Sequence, residues 1–334
     1  MKVQKRINLL VQLGEYLLAS PNAWQQCTEN AYRQNPWFTP EFVQTATGHI
    51  VHTMLQREIL ENFAARYPLS NNEQPEKTVG MVLPGNIPLA GFHDILCGLL
   101  SGHRLLLKLP EKAGVLTEHL VQQLHQWAPE LETRLQTATQ LKNCDAYIAT
   151  GSNNTSRYFE HYFGKYPSII RHNRTSIAIL NGAETTTQLE ALASDVHLYF
   201  GLGCRNVTKI YVPAGYDFVP LLNAFSRYDY FKDHNRYKNN YDYQLALLIL
   251  NKQYYMTNGT ILLTENKHLF SPVSQVFYEY YTGDNQPATL APGAAGELQC
   301  VVGNGHIPYG QAQVPAIDDF ADGADTMEFL VRLN

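Results

Sequence analysis

The stretch Thr78-Val-Gly-Met-Val-Leu-Pro-Gly-Asn-Ile-Pro88 begins a region in which strands and helices alternate. Its first six residues predict a strand, and the Pro-Gly-Asn-Ile-Pro turn leads into an apolar helix over residues 89–100. The alternation continues with predicted strand 104–108, helix 116–127, strand 146–150 and a helix that ends near residue 163. This alternation predicts a mostly parallel α/β sheet with helices on both faces, and such sheets bind ligands beyond the carboxyl ends of their strands.

The flanking regions give weaker signals. Strands are predicted at residues 176–180, 209–212 and 259–263, and helices at 185–200 and near 218–225. A polar segment with a dense run of tyrosines, residues 228–243, is expected mainly to pack. Residues 1–67 predict helices, with residues 41–67 as one long periodic run, and the first of these helices has apolar residues at helical spacing: Ile7, Leu10, Leu13, Leu17 and Leu18.

Composition excludes several classes of protein. The chain has 334 residues, 45% of them hydrophobic, and a net charge of −5 that argues against a nucleic-acid binder. No apolar run is long enough to span a membrane, and Gln12 and Glu15 interrupt what a signal peptide would keep apolar. The five cysteines form no Cys-x-x-Cys pair, so the sequence predicts neither a disulfide framework nor a metal site, and we expect a cytoplasmic location.

Cys204 is the first candidate for chemistry. It follows Gly201 and Gly203, which allow tight turns and close approach of a bound molecule, and it precedes the strand at 209–212. A thiolate in such a loop can attack a carbonyl or a thioester. A cysteine at this position could also simply fill space, because cysteine is among the most buried residue types.

Polar groups also follow the strands of the first half. Asn86 stands in a rigid turn between two prolines, as an oxyanion donor requires. Lys108 and Glu111 follow the next strand at a spacing suited to ribose hydroxyls, and Gly151-Ser152 opens a helix whose N–H groups can face phosphate. Each of these also has an ordinary reading, as a Pro-Gly turn, a surface charge pair or a helix cap.

Taken together and in this order, these motifs resemble the aldehyde dehydrogenase superfamily. Lys209, five residues after the cysteine, and Leu269-Phe-Ser-Pro-Val273 extend the likeness. Within the superfamily the chain is similar to the acyl-CoA reductases related to the bioluminescence fatty-acid reductase component. Three stretches support this: Tyr237-Lys-Asn-Asn-Tyr-Asp-Tyr243, Ser271-Pro-Val-Ser-Gln-Val-Phe-Tyr278 and Tyr309-Gly-Gln-Ala-Gln-Val-Pro315.

The resemblance implies an aldehyde dehydrogenase-like α/β fold with a Rossmann-type cofactor domain and an α/β catalytic domain. It divides the chain into a helical N-terminal part (1–70), a dinucleotide-binding domain (71–175), a cysteine domain (176–305) and a C-terminal segment packing back on the body (306–334). It further implies a homo-oligomer, with residues 69–77 as the segment that could mediate it.

The resemblance also assigns roles. Cys204 would be the nucleophile and Asn86 the oxyanion donor. The cofactor, NADPH or NADH, would be held by Lys108, Glu111, Gly151 and Ser152, with His268 near the nicotinamide ribose. The substrate would be an acyl-CoA, reduced to an aldehyde, with an acyl-carrier thioester or an acyl phosphate as the alternative donors.

Three departures from the superfamily pattern matter. The segment that carries a water-activating Glu in acid-forming members reads Ile170-Arg-His-Asn-Arg174 here, and His172 is a candidate for the proton-handling role. Ser156 replaces a glycine of the Gly-Ser turn, and His268 replaces a Glu. Two other functions stay open: an acid-forming aldehyde dehydrogenase, and a catalytically silent binding protein of this fold.

Overall fold

The computed structural model describes residues 1–69, 76–282 and 296–333, which form two compact units. Unit one comprises Met1–Asn173 and Pro315–Asn334, and unit two comprises Arg174–Val314. Each unit contains one β-sheet. The predicted boundary between residues 70 and 71, and most of the segment 69–77, lie outside the described residues.

The sheet of unit one is fully parallel, as the alternating sequence predicts. Its strands lie in the order β3-β2-β1-β4-β5. Strands β2 and β3 therefore lie on one side of β1, and β4 and β5 lie on the other. The short strands β3 and β5 escape prediction from the sequence. The five strands are β1 (Thr78–Val82), β2 (Arg104–Lys108), β3 (Leu135–Thr137), β4 (Ala146–Thr150) and β5 (Ser168–Arg171).

The predicted helical N-terminus is confirmed, but residues 41–67 form two helices, not one. Thr39 accepts the N–H of Phe42 and so caps the first of them, which ends before Leu55. Leu10 and Leu13 are buried, as their helical spacing predicts, whereas Leu18 is 55% exposed. The helices are α1 (Val3–Ala19), α2 (Asn22–Gln34), α3 (Pro40–Met54), α4 (Arg57–Ala65), α5 (Phe92–Ser101), α6 (Val115–Trp127) and α7 (Asn153–Phe163).

Unit two contains a six-stranded sheet in the order β11-β6-β7-β10-β9-β8, parallel except for the edge strand β8. Strand β10, inside the stretch similar to acyl-CoA reductases, is not predicted as a strand. The elements are β6 (Thr175–Ile179), α8 (Thr186–His197), β7 (Val207–Pro213), α9 (Val219–Phe225), α10 (Asn235–Leu250), β8 (Met256–Thr257), β9 (Leu262–Glu265), β10 (Gln275–Tyr281) and β11 (Leu298–Gly303).

The tyrosine-rich segment is helical and largely packed. The His234 ring caps α10 by accepting the N–H of Tyr237. Tyr228 stacks on the buried ring of His197, with ring centroids 4.6 Å apart, and Phe231 packs against both. The expectation that the tyrosines of this segment mainly pack is confirmed for Tyr228, Tyr237 and Tyr241, which are buried, whereas Tyr230 and Tyr243 are exposed.

The C-terminal segment returns to unit one through α11 (Thr326–Val331), which packs on α5. A buried ion pair ties it down: Arg171 Nη1 lies 2.6 Å from Asp94 Oδ2, and Arg171 Nη2 donates to Thr326 Oγ1 at 2.9 Å. Such a pair is costly to break, because either partner alone would be an uncompensated buried charge. Within the described ranges, no helix has both the length and the apolar character that crossing a membrane requires.

Candidate active site

Most of the predicted site residues lie at the carboxyl ends of the strands in unit one. Because all five strands are parallel, the segments that follow them all begin at the same end of the sheet. Asn86 follows β1, Lys108 and Glu111 stand at and after the end of β2, and Gly151-Ser152 follows β4. The strand order reverses between β1 and β4, which is where open α/β sheets bind ligands.

The Asn86 turn is fixed against the loop after β2. Gly85 approaches this loop so closely that a Cβ there would lie 2.7 Å from Pro110 Cβ. The N–H of Leu83 donates to the carbonyl of Lys108 at 3.1 Å, which aligns the two strand ends. Asn86 itself is exposed, as are Lys108 and Glu111, so all three side chains are accessible to a ligand.

The Gly151-Ser152 turn opens α7 as predicted. Ser152 is the N-cap and accepts the N–H of Thr155 at 3.3 Å. Gly151 is needed because a Cβ there would lie 2.9 Å from the Phe159 ring. A helix N-terminus beside a glycine turn at the switch point suits the pyrophosphate of a dinucleotide. The residues present therefore fit a dinucleotide, with Glu111 and Lys108 available to its ribose.

His172 is coupled to the same helix. Its Nδ1 lies 2.8 Å from Ser156 Oγ, and the Ser156 hydroxyl donates to the carbonyl of Asn153 at 3.0 Å. The hydroxyl therefore accepts from Nδ1–H, which leaves Nε2 to exchange a proton. Nε2 lies 3.5 Å from Glu160 Oε1. Two departures from the superfamily pattern, Ser156 and His172, are thus partners, since a glycine at 156 could not hold the imidazole.

In unit two, Cys204 lies on a loop that begins with a strained kink. Tyr199, Phe200 and Gly201 have successive positive φ angles of 56°, 57° and 74°. Such angles are unfavourable for the two aromatic residues, and tight packing compensates: the Phe200 ring lies 4.5 Å from that of Phe231. The kink turns the chain from α8 into the cysteine loop.

Asn206 holds the loop closed. Its side chain is fully buried, and its Oδ1 accepts the N–H of Gly203 at 2.7 Å. Its Nδ2 donates toward three carbonyls at the end of α8, those of Asp195, Val196 and Leu198, at 2.9–3.2 Å. Cys204, the candidate nucleophile, therefore lies between Gly203 and Asn206, which are joined through the buried Asn206 carboxamide.

A second contact supports the loop from β6. The Ser176 hydroxyl donates to the carbonyl of Cys204 at 3.1 Å, and the N–H of Cys300 donates to the same hydroxyl at 3.2 Å. Ser176 is fully buried, so this bond is shielded from water. It fixes the backbone of Cys204 and leaves the orientation of the thiol to the loop itself.

Cys204 also differs from the other cysteines in burial. All five lie in the described part of the chain, and four are buried while Cys204 is half-buried. Burial raises the pKa of Cys27 to about 11, aided by Glu118, and raises the pKa values of Cys97 and Cys144 as well. Those three thiols are poor nucleophiles, because the thiolate is the reactive form.

The segment after β11 is hydrogen-bonded to residues on either side of the turn that leads into Cys204. The Asp195 carboxylate accepts the N–H groups of Gly310 at 2.6 Å and Ala312 at 3.0 Å, and Arg205 Nη1 donates to the carbonyl of Ala312 at 3.1 Å. Burial raises the pKa of Asp195 to about 6, although the two backbone N–H groups favour its charged form. This segment belongs to the Tyr309–Pro315 stretch of the resemblance.

Lys209 is a structural cation. It is fully buried, its Nζ lies 2.5 Å from Glu279 Oε2, and it donates to the carbonyl of Lys267 at 3.0 Å. The neighbouring Thr208 donates to the carbonyl of Leu269 at 2.7 Å. The loop that carries the exposed His268 is therefore attached to the start of β7, the strand that follows Cys204.

The predicted residues thus fall into two groups. Unit one brings Asn86, Lys108, Glu111, Gly151-Ser152 and His172 to the carboxyl ends of its strands, and unit two carries Cys204 and His268. Sequence reasoning missed Asn206, Ser176 and Asp195. An Asn shortly after a Gly-x-Gly loop is a usable signal, since its side chain readily accepts nearby N–H groups. Among the described residues, no three His, Cys, Asp or Glu side chains could together hold a metal ion.

Several solved aldehyde dehydrogenases share this fold. Aldehyde dehydrogenase 21 from Physcomitrella patens is 11% identical, with a TM-score of 0.66 over 100% of this chain and 84% of that one. A variant of aldehyde dehydrogenase C from Pseudomonas syringae, solved with NAD+ and octanal, is 11% identical, with a TM-score of 0.63 over 90% and 72%. The NAD-dependent aldehyde dehydrogenase from Sinorhizobium meliloti is 12% identical, with a TM-score of 0.59 over 90% and 70%. At these identities the likeness establishes the fold, which is that of the aldehyde dehydrogenases.

The amino-acid sequence also identifies the family within this fold. The model of the family described as acyl-CoA reductase (LuxC) matches residues 37–219, more than half of the chain, and this match includes Asn86, His172 and Cys204. The chain belongs to the LuxC acyl-CoA reductase family. No curated protein sequence matches it.

We expect Asn206→Ala to destabilise the chain by about 2–4 kcal/mol, because it leaves a buried N–H and buried carbonyls without their partner. Chemical denaturation measures the change. Asn223→Ala, at an exposed position of α9, is the matched control and should have little effect. Equal stabilities of the two variants would contradict the role given to Asn206.

Asp195 should make stability depend on pH. Its pKa is raised in the fold from 3.8 to about 6, so its contribution is complete below the lower value and is lost as pH rises through the higher one. Relative to Asp195→Asn, the parent should lose roughly 2–3 kcal/mol between about pH 4 and about pH 7. Denaturation of both proteins across this range measures the difference. A constant difference between parent and variant would show that Asp195 titrates normally.

Proposed function

We propose that the chain reduces an acyl thioester to an aldehyde through an acyl group carried on Cys204. The observation that carries this proposal is the thiol itself: it alone among the five is not buried, and it stands on a loop fixed by Asn206 and Ser176. Membership of the LuxC acyl-CoA reductase family supports the same reaction.

The first half-reaction needs a nucleophile and an oxyanion donor. The Cys204 thiolate attacks the thioester carbonyl, the bond from carbon to the departing sulfur breaks, and that sulfur leaves as a thiolate. We assign the Asn86 amide and a backbone N–H near Cys204 to the oxyanion. One such donor contributes about 2.7–4 kcal/mol to the transition state when it is oriented beforehand, and the packing of Gly85 on Pro110 orients the Asn86 turn.

The second half-reaction returns the thiol. A bound NADPH or NADH would supply the hydride that reduces the acyl group. We assign the dinucleotide to the carboxyl edge of the unit one sheet, with Ser152 and the α7 N-terminus toward its phosphates and Lys108 and Glu111 toward its ribose. His268 would lie by the nicotinamide ribose. The bond between the acyl carbon and the Cys204 sulfur breaks as the aldehyde is released, and the sulfur leaves as a thiolate. His172 would exchange, at Nε2, the proton that returns this thiolate to the thiol. The resemblance favours NADPH.

The same residues argue against acid formation. In acid-forming members of the superfamily this segment carries the carboxylate that activates water, and residues 170–174 here contain no carboxylate. Its only basic imidazole, His172, is assigned to the proton exchange of the reduction. Because the thiol must stay reduced to react, we also propose a cytoplasmic setting. The acyl donor is a coenzyme A or carrier-protein thioester.

Steady-state assays with a long-chain acyl-CoA and NADPH or NADH test the proposal. We expect aldehyde as the product, and a loss of at least about a thousandfold in Cys204→Ala. Cys27→Ala, which removes a buried thiol of unit one, is the matched control and should keep the activity. Fatty acid as the product would favour an acid-forming enzyme, and no turnover by the folded parent would favour a silent binding protein.

A further inference from the structure

Unit one contains a buried guanidinium that the proposed reaction does not use. Arg6 of α1 is only 6% exposed, and neither its Nε nor its Nη1 has a hydrogen-bond partner. A buried unpaired cation is costly, so an unsatisfied arginine of this kind calls for a compensating group.

The fold makes room for this side chain. Gly102 ends α5 with a φ of 86°, and Arg6 Nη1 lies 2.1 Å from the point where a Cβ of residue 102 would be. Any other residue at 102 would displace the guanidinium. The position of Arg6 is therefore built by the backbone of α5 and is not an accident of a long side chain.

The guanidinium lines a cavity. This cavity has a volume of about 20 Å³ and is lined by Arg6, Arg134, His103 and Gly102, by Met1, and by leucines of α1, α5, α6 and the segment after α6. It lies at the amino end of β2, whereas the proposed dinucleotide site lies at the carboxyl end. A space of this size holds about one water molecule or one monatomic ion.

The charges around the cavity do not balance. Glu76 is the carboxylate that acts on Arg6, but it is already paired with Arg134 and with Arg104, whose Nε lies 3.1 Å away. Burial, followed by repulsion from Arg134, lowers the pKa of Arg6. His103 adds no charge: its Nδ1 accepts the N–H of Lys77, and its Nε2 lies 2.9 Å from the carbonyl of Leu330.

We infer that Arg6 and Arg134 bind a small inorganic anion, of the size of chloride, in this cavity. The anion would offset the excess of guanidinium charge over Glu76. Bound there, the anion would join α1 to the end of α5 and would stabilise unit one independently of the reaction at Cys204.

Thermal unfolding of the full chain in sodium chloride and in sodium gluconate, at equal ionic strength, tests the inference. Chloride fits the cavity and gluconate does not, so we expect the parent to melt about 2–4 °C higher in chloride. Arg6→Met should lose this difference and should be at least as stable as the parent in gluconate. Arg33→Met, at an exposed arginine of α2, should keep the difference.

Anomalous diffraction from a crystal of the parent grown in sodium bromide gives a second readout that does not depend on a variant folding. We expect a peak between the guanidinium groups of Arg6 and Arg134. Equal melting temperatures of the parent in the two salts, or a bromide crystal with no peak in the cavity, would overturn the inference and leave a water molecule as the occupant.

Discussion

The buried carboxamide of Asn206 is the contact on which the proposed chemistry of this chain depends. It joins the N–H of Gly203 to carbonyls at the end of α8, so Cys204, which lies between Gly203 and Asn206, has little freedom to move. A nucleophile must be held within a fraction of an ångström of its working position, and a loop achieves this only when its backbone is fixed. The Ser176 hydroxyl and the strained kink at Tyr199 and Phe200 serve the same end.

The parallel sheet of unit one brings together residues that are far apart in the sequence. Four strands deliver their following segments to one edge, and the reversal of order between β1 and β4 leaves space there for a ligand. At the opposite end of the sheet, Arg6 of α1 lies against Gly102 at the end of α5.

Much of this could be predicted from the sequence, because the signals are local. The Pro-Gly-Asn-Ile-Pro turn, the Gly-Ser helix start and the Gly-x-Cys loop each lie within a few residues. The strand alternation also predicts that the first two lie at the same end of one sheet. The partnership of His172 with Ser156 spans 16 residues and a strand, so no local pattern reveals it. Helix α10 is not evident from the sequence, because two of its three buried residues are tyrosines within a polar segment. Asn206 is not evident because no local pattern links its side chain to carbonyls eight or more residues earlier in the chain.

The central claim is that Cys204 accepts the acyl group. Intact-protein mass spectrometry after mixing with a long-chain acyl-CoA, without reduced cofactor, tests it most directly when followed by peptide mapping. We predict one acyl adduct, located on Cys204, that persists in water and disappears when NADPH or NADH is added. An adduct on another cysteine, or none on the folded protein with any acyl-CoA tried, would contradict the account.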